Sequence, residues 1–203
     1  MEAEYYLQKY KSFLFEFDDV LYPQKDYLLQ VYYLFSQFIE YAEQKDSLKI
    51  LEFMKVSFAS DGHVGIFDRT MEHFSLDEKY KVNFELLMQN VKLPLKLLLF
   101  NELLRFLQSI VDSGKEIFLM LSGDPVIQLN KIRQTEWNGI ETSLTVYFTE
   151  EFGEQSIEAN ILTVFEKHGI IPQKTLFIGH SSHANLISPS SRINYMDATK
   201  LLD

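Results

Sequence analysis

A chain of 203 residues is long enough for one sizeable core, or one core with a smaller appended unit, and leaves no room for two unrelated large domains. A hydrophobic fraction of 46% beside 24% charged residues, with 17 Phe and 11 Tyr, excludes extensive disorder. The 29 acidic and 19 basic residues give a net charge of −10, which argues against nucleic acid as a partner, and the absence of cysteine excludes disulfides and thiolate metal sites.

In chain order, the opening MEAEYYLQKY is too polar for a signal peptide. The most apolar stretch, 93–110, is interrupted by Pro94, Lys96, Asn101, Glu102 and Arg105, so no membrane segment is expected and the chain reads as soluble and cytoplasmic. Residues 13–23, FLFEFDDVLYP, form an apolar run that ends in closely spaced acids. That pattern predicts a buried strand delivering carboxylates to the carboxyl edge of a parallel sheet, where α/β folds place their sites. The period then becomes helical: 27–44 carries Leu28, Val31, Tyr32, Phe35, Phe38, Ile39 and Ala42 at three-and-four spacing. Further helices are expected at 46–58, 66–74 and 76–90, the last with Ser75 as N-cap and Glu78 completing a capping box. The stripe Tyr32, Phe35, Phe38 reads as packing within this helical insert.

From Leu97 the pattern alternates. A helix to about 112 and the turn Ser113-Gly114 precede a strand at 116–121, a helix at 125–134, a strand at 145–148, a helix at 156–168, and strands at 175–178 and 193–196. Strands alternating with helices predict an α/β fold, a parallel sheet covered on both faces.

FLFEFDDVLYP resembles the first motif of the haloacid dehalogenase superfamily, FDLDDTLYP, whose first Asp is a nucleophile toward phosphate and whose second is a general acid. Glu16 stands in the nucleophile's place, Asp18 keeps the acid position, and Val20 replaces the Thr. The second motif ends a strand with a hydroxyl residue that holds the transferring phosphoryl group. Here FLMLSGDPVIQLNKI puts Leu121 at that position and Ser122 in the place of the following Asn, with Gly123, Asp124, Gln128, Lys131 and Ile132 continuing the family's pattern; a one-residue adjustment would let Ser122 serve as the hydroxyl. The third motif supplies a lysine, and FGEQSIEANIL places Glu154 there. The fourth, Gly-Asp-Ser-x-x-x-Asp, supplies metal-binding acids. FIGHSSHANLIS keeps Gly179 and Ser181 but puts His180 and Asn185 at the acidic positions.

The resemblance covers essentially the whole chain and implies a Rossmann-like core from 1–23 and 93–203, with 24–92 inserted as an all-helical cap. It implies Glu16 and Asp18 as catalytic residues, Ser122, Gly123 and Lys131 as phosphate or substrate ligands, and Glu16, Asp18, His180 and Asn185 as metal ligands. The family's metal is Mg2+. With an imidazole and a neutral amide replacing two acids, binding of Mg2+ is expected to be weak or absent, and a softer ion such as Mn2+ or Zn2+ suits the set better.

A carboxylate in place of the lysine repels phosphate where the family attracts it. The extra methylene of Glu16 displaces the attacking oxygen by about 1 Å, which costs on the order of a hundredfold in rate. Two readings follow. One is an impaired relative, a pseudoenzyme that binds a ligand or a protein through the old cleft. The other is a metal-dependent phosphatase acting on a small phosphorylated metabolite. For His180 and His183 a rebuilt metal site competes with loop histidines bonded to their neighbours. Lys131 reads as a solvated helix residue more readily than as a phosphate ligand.

Overall fold

The computed structural model describes residues 2–153, 156–187 and 189–202, in two compact units. One comprises Met1–Pro23, Leu98–Gln128 and Thr135–Asp203; the other comprises Gln24–Leu97 and Leu129–Gln134.

The first unit is built on a five-stranded sheet. Its strands are β1 (Ser12–Glu16), β2 (Glu116–Leu121), β3 (Leu144–Phe148), β4 (Thr175–Gly179) and β5 (Asn194–Asp197). The spatial order is β3-β2-β1-β4-β5 and every pairing is parallel. β1 is central, so both of its faces are covered, and the sequence supplies what that requires: Phe13, Leu14 and Phe15 are wholly buried. Each contributes about 1.5–3 kcal/mol relative to an exposed position.

Side chains alternate across the sheet. Leu14 joins Phe118, Met120, Tyr147 and Phe177 under Ile161, Val164 and Phe165 of the helix Ile157–His168. On the other face Phe13 and Phe15 meet Phe106 edge-on at 5.5 and 6.3 Å between ring centres, and Phe106 belongs to the helix Asn101–Asp112. Glu16 pairs with Met120 in register and ends β1. At the opposite end of the strand, Ser12 Oγ and Thr175 Oγ1 form a buried hydrogen bond of 2.7 Å. Just past β1, Phe17 stacks on Trp137 with 5.9 Å between ring centres and 20° between planes.

The second unit is helical, with α2 (Gln24–Glu43), α3 (Ser47–Asp61), α4 (Ile66–Phe74) and α5 (Tyr80–Asn90) after an N-terminal α1 (Glu2–Lys9) that belongs to the first unit. Its centre is aromatic: Phe84 lies 5.1 Å from Phe35, 5.7 Å from Phe67 and 6.4 Å from Tyr32. Asp46 caps α3, its carboxylate accepting the Leu48 and Lys49 amides at 3.0 and 3.2 Å, worth about 1 kcal/mol. The Arg69 guanidinium closes the α3–α4 turn by donating to Ser57 Oγ and to the Val64 and Gly62 carbonyls at 2.6–2.7 Å. Among the described residues no helix is long and apolar enough to cross a membrane.

Three details differ from the sequence-based expectation. Ser75 does not cap α5; it ends α4 in the left-handed conformation, φ 50°, its amide donating back to Glu72 and Met71. Helix α5 starts at Tyr80 without a side-chain cap, so the expected pairing of Ser75 with Glu78 is absent. The helix expected from 97 begins at Asn101, since Leu97–Leu98 is extended. The polar N-terminus forms α1, with Tyr6 edge-on to Phe106 at 6.3 Å.

Candidate active site

In the order β3-β2-β1-β4-β5 the direction of winding reverses between β1 and β4, and a parallel sheet opens a crevice at the carboxyl ends of the strands flanking such a reversal. Glu16 ends β1 and Gly179 ends β4, so the topology alone brings these two residues to that edge.

Glu16 is 8% exposed and both of its oxygens are engaged. Oε2 accepts the His180 amide at 2.7 Å, and Oε1 lies 2.6 Å from His183 Nδ1. A carboxylate has no proton to give, so this contact places the ring proton on Nδ1. Gly179 makes the arrangement possible: a Cβ there would lie 2.9 Å from Glu16 Oε2, 3.1 Å from Glu16 Cδ and 3.1 Å from the Phe177 ring. His180 turns away from Glu16, its Nδ1 accepting the Ser182 amide at 3.3 Å and lying 2.8 Å from Ser182 Oγ. Its carbonyl accepts the Tyr195 hydroxyl at 2.5 Å. Burial, followed by the negative charges of Glu16 and Asp197, pushes that hydroxyl up to about 12, so Tyr195 keeps its proton and remains a donor.

Asp18 forms a second cluster. Its Oδ1 accepts the Tyr22 hydroxyl at 2.5 Å and its Oδ2 accepts Gln128 Nε2 at 2.8 Å. The same amide nitrogen donates to the Ser122 carbonyl at 2.6 Å, tying the acid to the turn after β2. Gln128 is 4% exposed and its Oε1 is buried without a hydrogen-bond partner. Leu121 is buried inside β2, whereas Ser122 is exposed. Gly123, at φ 94°, donates its amide to Glu150 Oε1 at 2.6 Å. The Gly123 backbone N–H is thus held by a carboxylate from the chain itself.

The residues singled out in the sequence are therefore distributed unevenly. Glu16 and His180 share one network, and Asp18, Gln128 and the Ser122 backbone share another. Asn185 lies exposed in the 3-10 turn Ser181–Leu186, with no hydrogen bond to Glu16, Asp18 or His180 among the described residues. Lys131 belongs to the helical unit and is not solvated: it is 2% exposed, with its ammonium 5.1 Å from the centre of the Tyr27 ring. Glu154 lies outside the described residues. The partners Tyr22, Glu150 and Tyr195 were missed from sequence. Only Tyr22 left a local signal, being four residues beyond Asp18.

The donor set does not fit Mg2+ as arranged. A hard cation needs several oxygens free to turn toward one point. Here both Glu16 oxygens face an N–H or an imidazole, and both Asp18 oxygens face donors. Among the described residues no group of three or more His, Asp or Glu side chains is gathered to hold a metal.

No protein-family model matches the chain, and no curated protein matches it. Solved structures do. A putative beta-phosphoglucomutase from Thermotoga maritima superposes with a TM-score of 0.65 at 13% identity, covering 95% of this chain and 96% of its own. A hydrolase from Streptococcus pneumoniae gives 0.56 at 17% identity, with 95% and 96% covered. A haloacid dehalogenase-superfamily hydrolase of subfamily IA from Geobacter sulfurreducens gives 0.55 at 13%, with 93% and 87% covered.

Proposed function

Starting from a chain with the fold of haloacid dehalogenase-like hydrolases, we propose that this protein is a catalytically impaired relative, a pseudoenzyme that binds a ligand through the former active-site cleft. One observation carries the reading. The carboxylate at the nucleophile's position has both oxygens occupied, by the His180 amide and the His183 imidazole. Each oxygen keeps a second lone pair, but the two contacts fix the carboxylate's orientation and lower its nucleophilicity, and turning it in line with phosphorus gives up hydrogen bonds worth about 0.5–1.5 kcal/mol each. The Gly123 amide on Glu150 supports the same reading, since a phosphoryl oxygen would have to displace a like charge to reach it.

In this reading the helical unit takes the role of a cap, selecting what the cleft accepts, and the protein works in the cytoplasm. The ligand is a small phosphorylated metabolite whose phosphate stays clear of the Gly123–Glu150 contact. A protein partner is the alternative occupant. A phosphatase reading is favoured by one feature only, the retention of Asp18 in a defined hydrogen-bonded orientation.

The test is a panel of phosphorylated metabolites assayed with Mg2+, Mn2+ and Zn2+ in turn. Hydrolysis is expected not to exceed that of a Glu16→Ala/Asp18→Ala control. In parallel, thermal-shift titration with the same panel is expected to find a compound that stabilises the wild type and not the control. Turnover abolished by Glu16→Ala would replace this reading with that of a working phosphatase.

A further inference from the structure

The helical unit contains a cavity of about 490 Å3 formed by the segment after α5 and the last turns of the helix Pro125–Gln134. Three cations line it, Lys92, Lys96 and Arg133, and no carboxylate does. This is notable in a chain of net charge −10. Elsewhere on the same unit, surface lysines sit beside acids: Lys49 with Asp46, Lys55 with Glu52, Lys79 with Asp77 and Lys81 with Asp68. Among the described residues, none of the three cavity cations forms an ion pair.

The walls are held in place. Gln134 accepts the Leu93 amide at 2.5 Å and donates to the Val91 carbonyl at 2.7 Å, and Asn130 donates to the same carbonyl at 3.0 Å. Gln30 accepts the Leu95 amide at 2.8 Å. The segment bearing both lysines is thus anchored at three backbone positions before any ligand arrives, which lowers the ordering cost of binding. Leu95, 71% exposed, adds an apolar element to the rim.

We propose that this cavity is a binding site for a small phosphate-bearing polyanion, of the size and chemistry of a nucleoside diphosphate. Three exposed cations lining one hollow favour an anion of more than one charge over a monovalent one. The Arg133 guanidinium offers the planar fork that matches a phosphate edge, with the two ammonium groups as point charges beside it. The volume falls within the range of metabolite sites, and Leu95 suits a less polar remainder of the ligand. The site shares no residue with the Glu16 cleft and does not rest on the reading of that cleft.

The experiment is calorimetric titration of the full chain at low salt with inorganic pyrophosphate, inorganic phosphate and adenosine diphosphate. Pyrophosphate is expected to bind one to one with Kd tighter than about 1 mM, and to weaken as salt is raised. Phosphate should bind more weakly, and the diphosphate nucleoside at least as tightly as pyrophosphate. Lys92→Gln/Lys96→Gln/Arg133→Gln should weaken pyrophosphate at least about tenfold. Lys49→Gln/Lys55→Gln/Lys81→Gln, which removes the same charge elsewhere, should leave it within about twofold. Arg133→Gln alone provides a second reading should the triple variant unfold. Absence of saturable binding, equal loss in the control triple, or loss in Glu16→Ala/Asp18→Ala in place of the cavity variants would overturn the assignment.

Discussion

A methyl group added at position 179 would sit 2.9 Å from Glu16 Oε2, closer than carbon and oxygen tolerate without one of them moving. The Gly179 backbone is not in the left-handed region, so the requirement is for space and not for conformational freedom. Gly179→Ala is therefore expected to cost about 1–3 kcal/mol, read from chemical denaturation, as an overpacked site does. The cost should fall by more than about half in a Glu16→Ala background, because the atom that is struck is gone. An unchanged cost in the double-mutant cycle would mean that the Phe177 ring, 3.1 Å away, is the true obstacle. The same residues show what was legible at this scale. Glu16, Gly179 and His180 each stood out in the sequence, at the ends of two apolar runs, and the structure brings the three together where β1 and β4 end. That His183 would reach Glu16 Oε1 was not identifiable, since the two lie 167 positions apart and meet only through β1–β4 pairing.

The elements divide in the same way. The strand Glu116–Leu121 and the helices Ile66–Phe74 and Pro125–Gln134 coincide with the expected ranges, because each has an apolar run or period bounded by a turn residue. Ser75 misled because a serine before a helical period, with an acid three residues on, carries the same letters whether it opens one helix or closes the previous one. Its φ of 50° settles the matter. A side chain with a Cβ pays about 1–2 kcal/mol in that region, partly offset for glycine by its larger loss of chain freedom on folding. Ser75→Gly is therefore expected to raise stability by about 0.5 kcal/mol, a shift of roughly 1–2 °C in the thermal midpoint. A loss of stability would instead identify the Ser75 hydroxyl as a cap. Lys131 is the complementary case: its charge suggested solvent, whereas its long stem is buried and its ammonium rests over Tyr27.

Over the whole molecule, ten excess negative charges oppose compaction. Five Lys or Arg pairs with acids among the described residues work against this, and all are exposed: Lys49–Asp46, Lys55–Glu52, Lys79–Asp77, Lys81–Asp68 and Arg105–Glu102 involve side chains at least 40% exposed. Such pairs contribute about 0–1 kcal/mol and lose little to screening, whereas the summed repulsion loses more. Raising sodium chloride from about 20 to 200 mM, where the screening length falls to under about 10 Å, is therefore expected to raise the thermal midpoint by about 1–3 °C. A fall would show that the local pairs outweigh the net charge.

The only tryptophan in the chain, Trp137, is 5% exposed and stacked on Phe17, the residue between Glu16 and Asp18. The indole is therefore a built-in optical reporter for the two carboxylates. Its emission comes from a single, water-shielded ring whose neighbour is bonded on both sides to the acids, so a molecule that shifts either acid perturbs the light without any label being introduced.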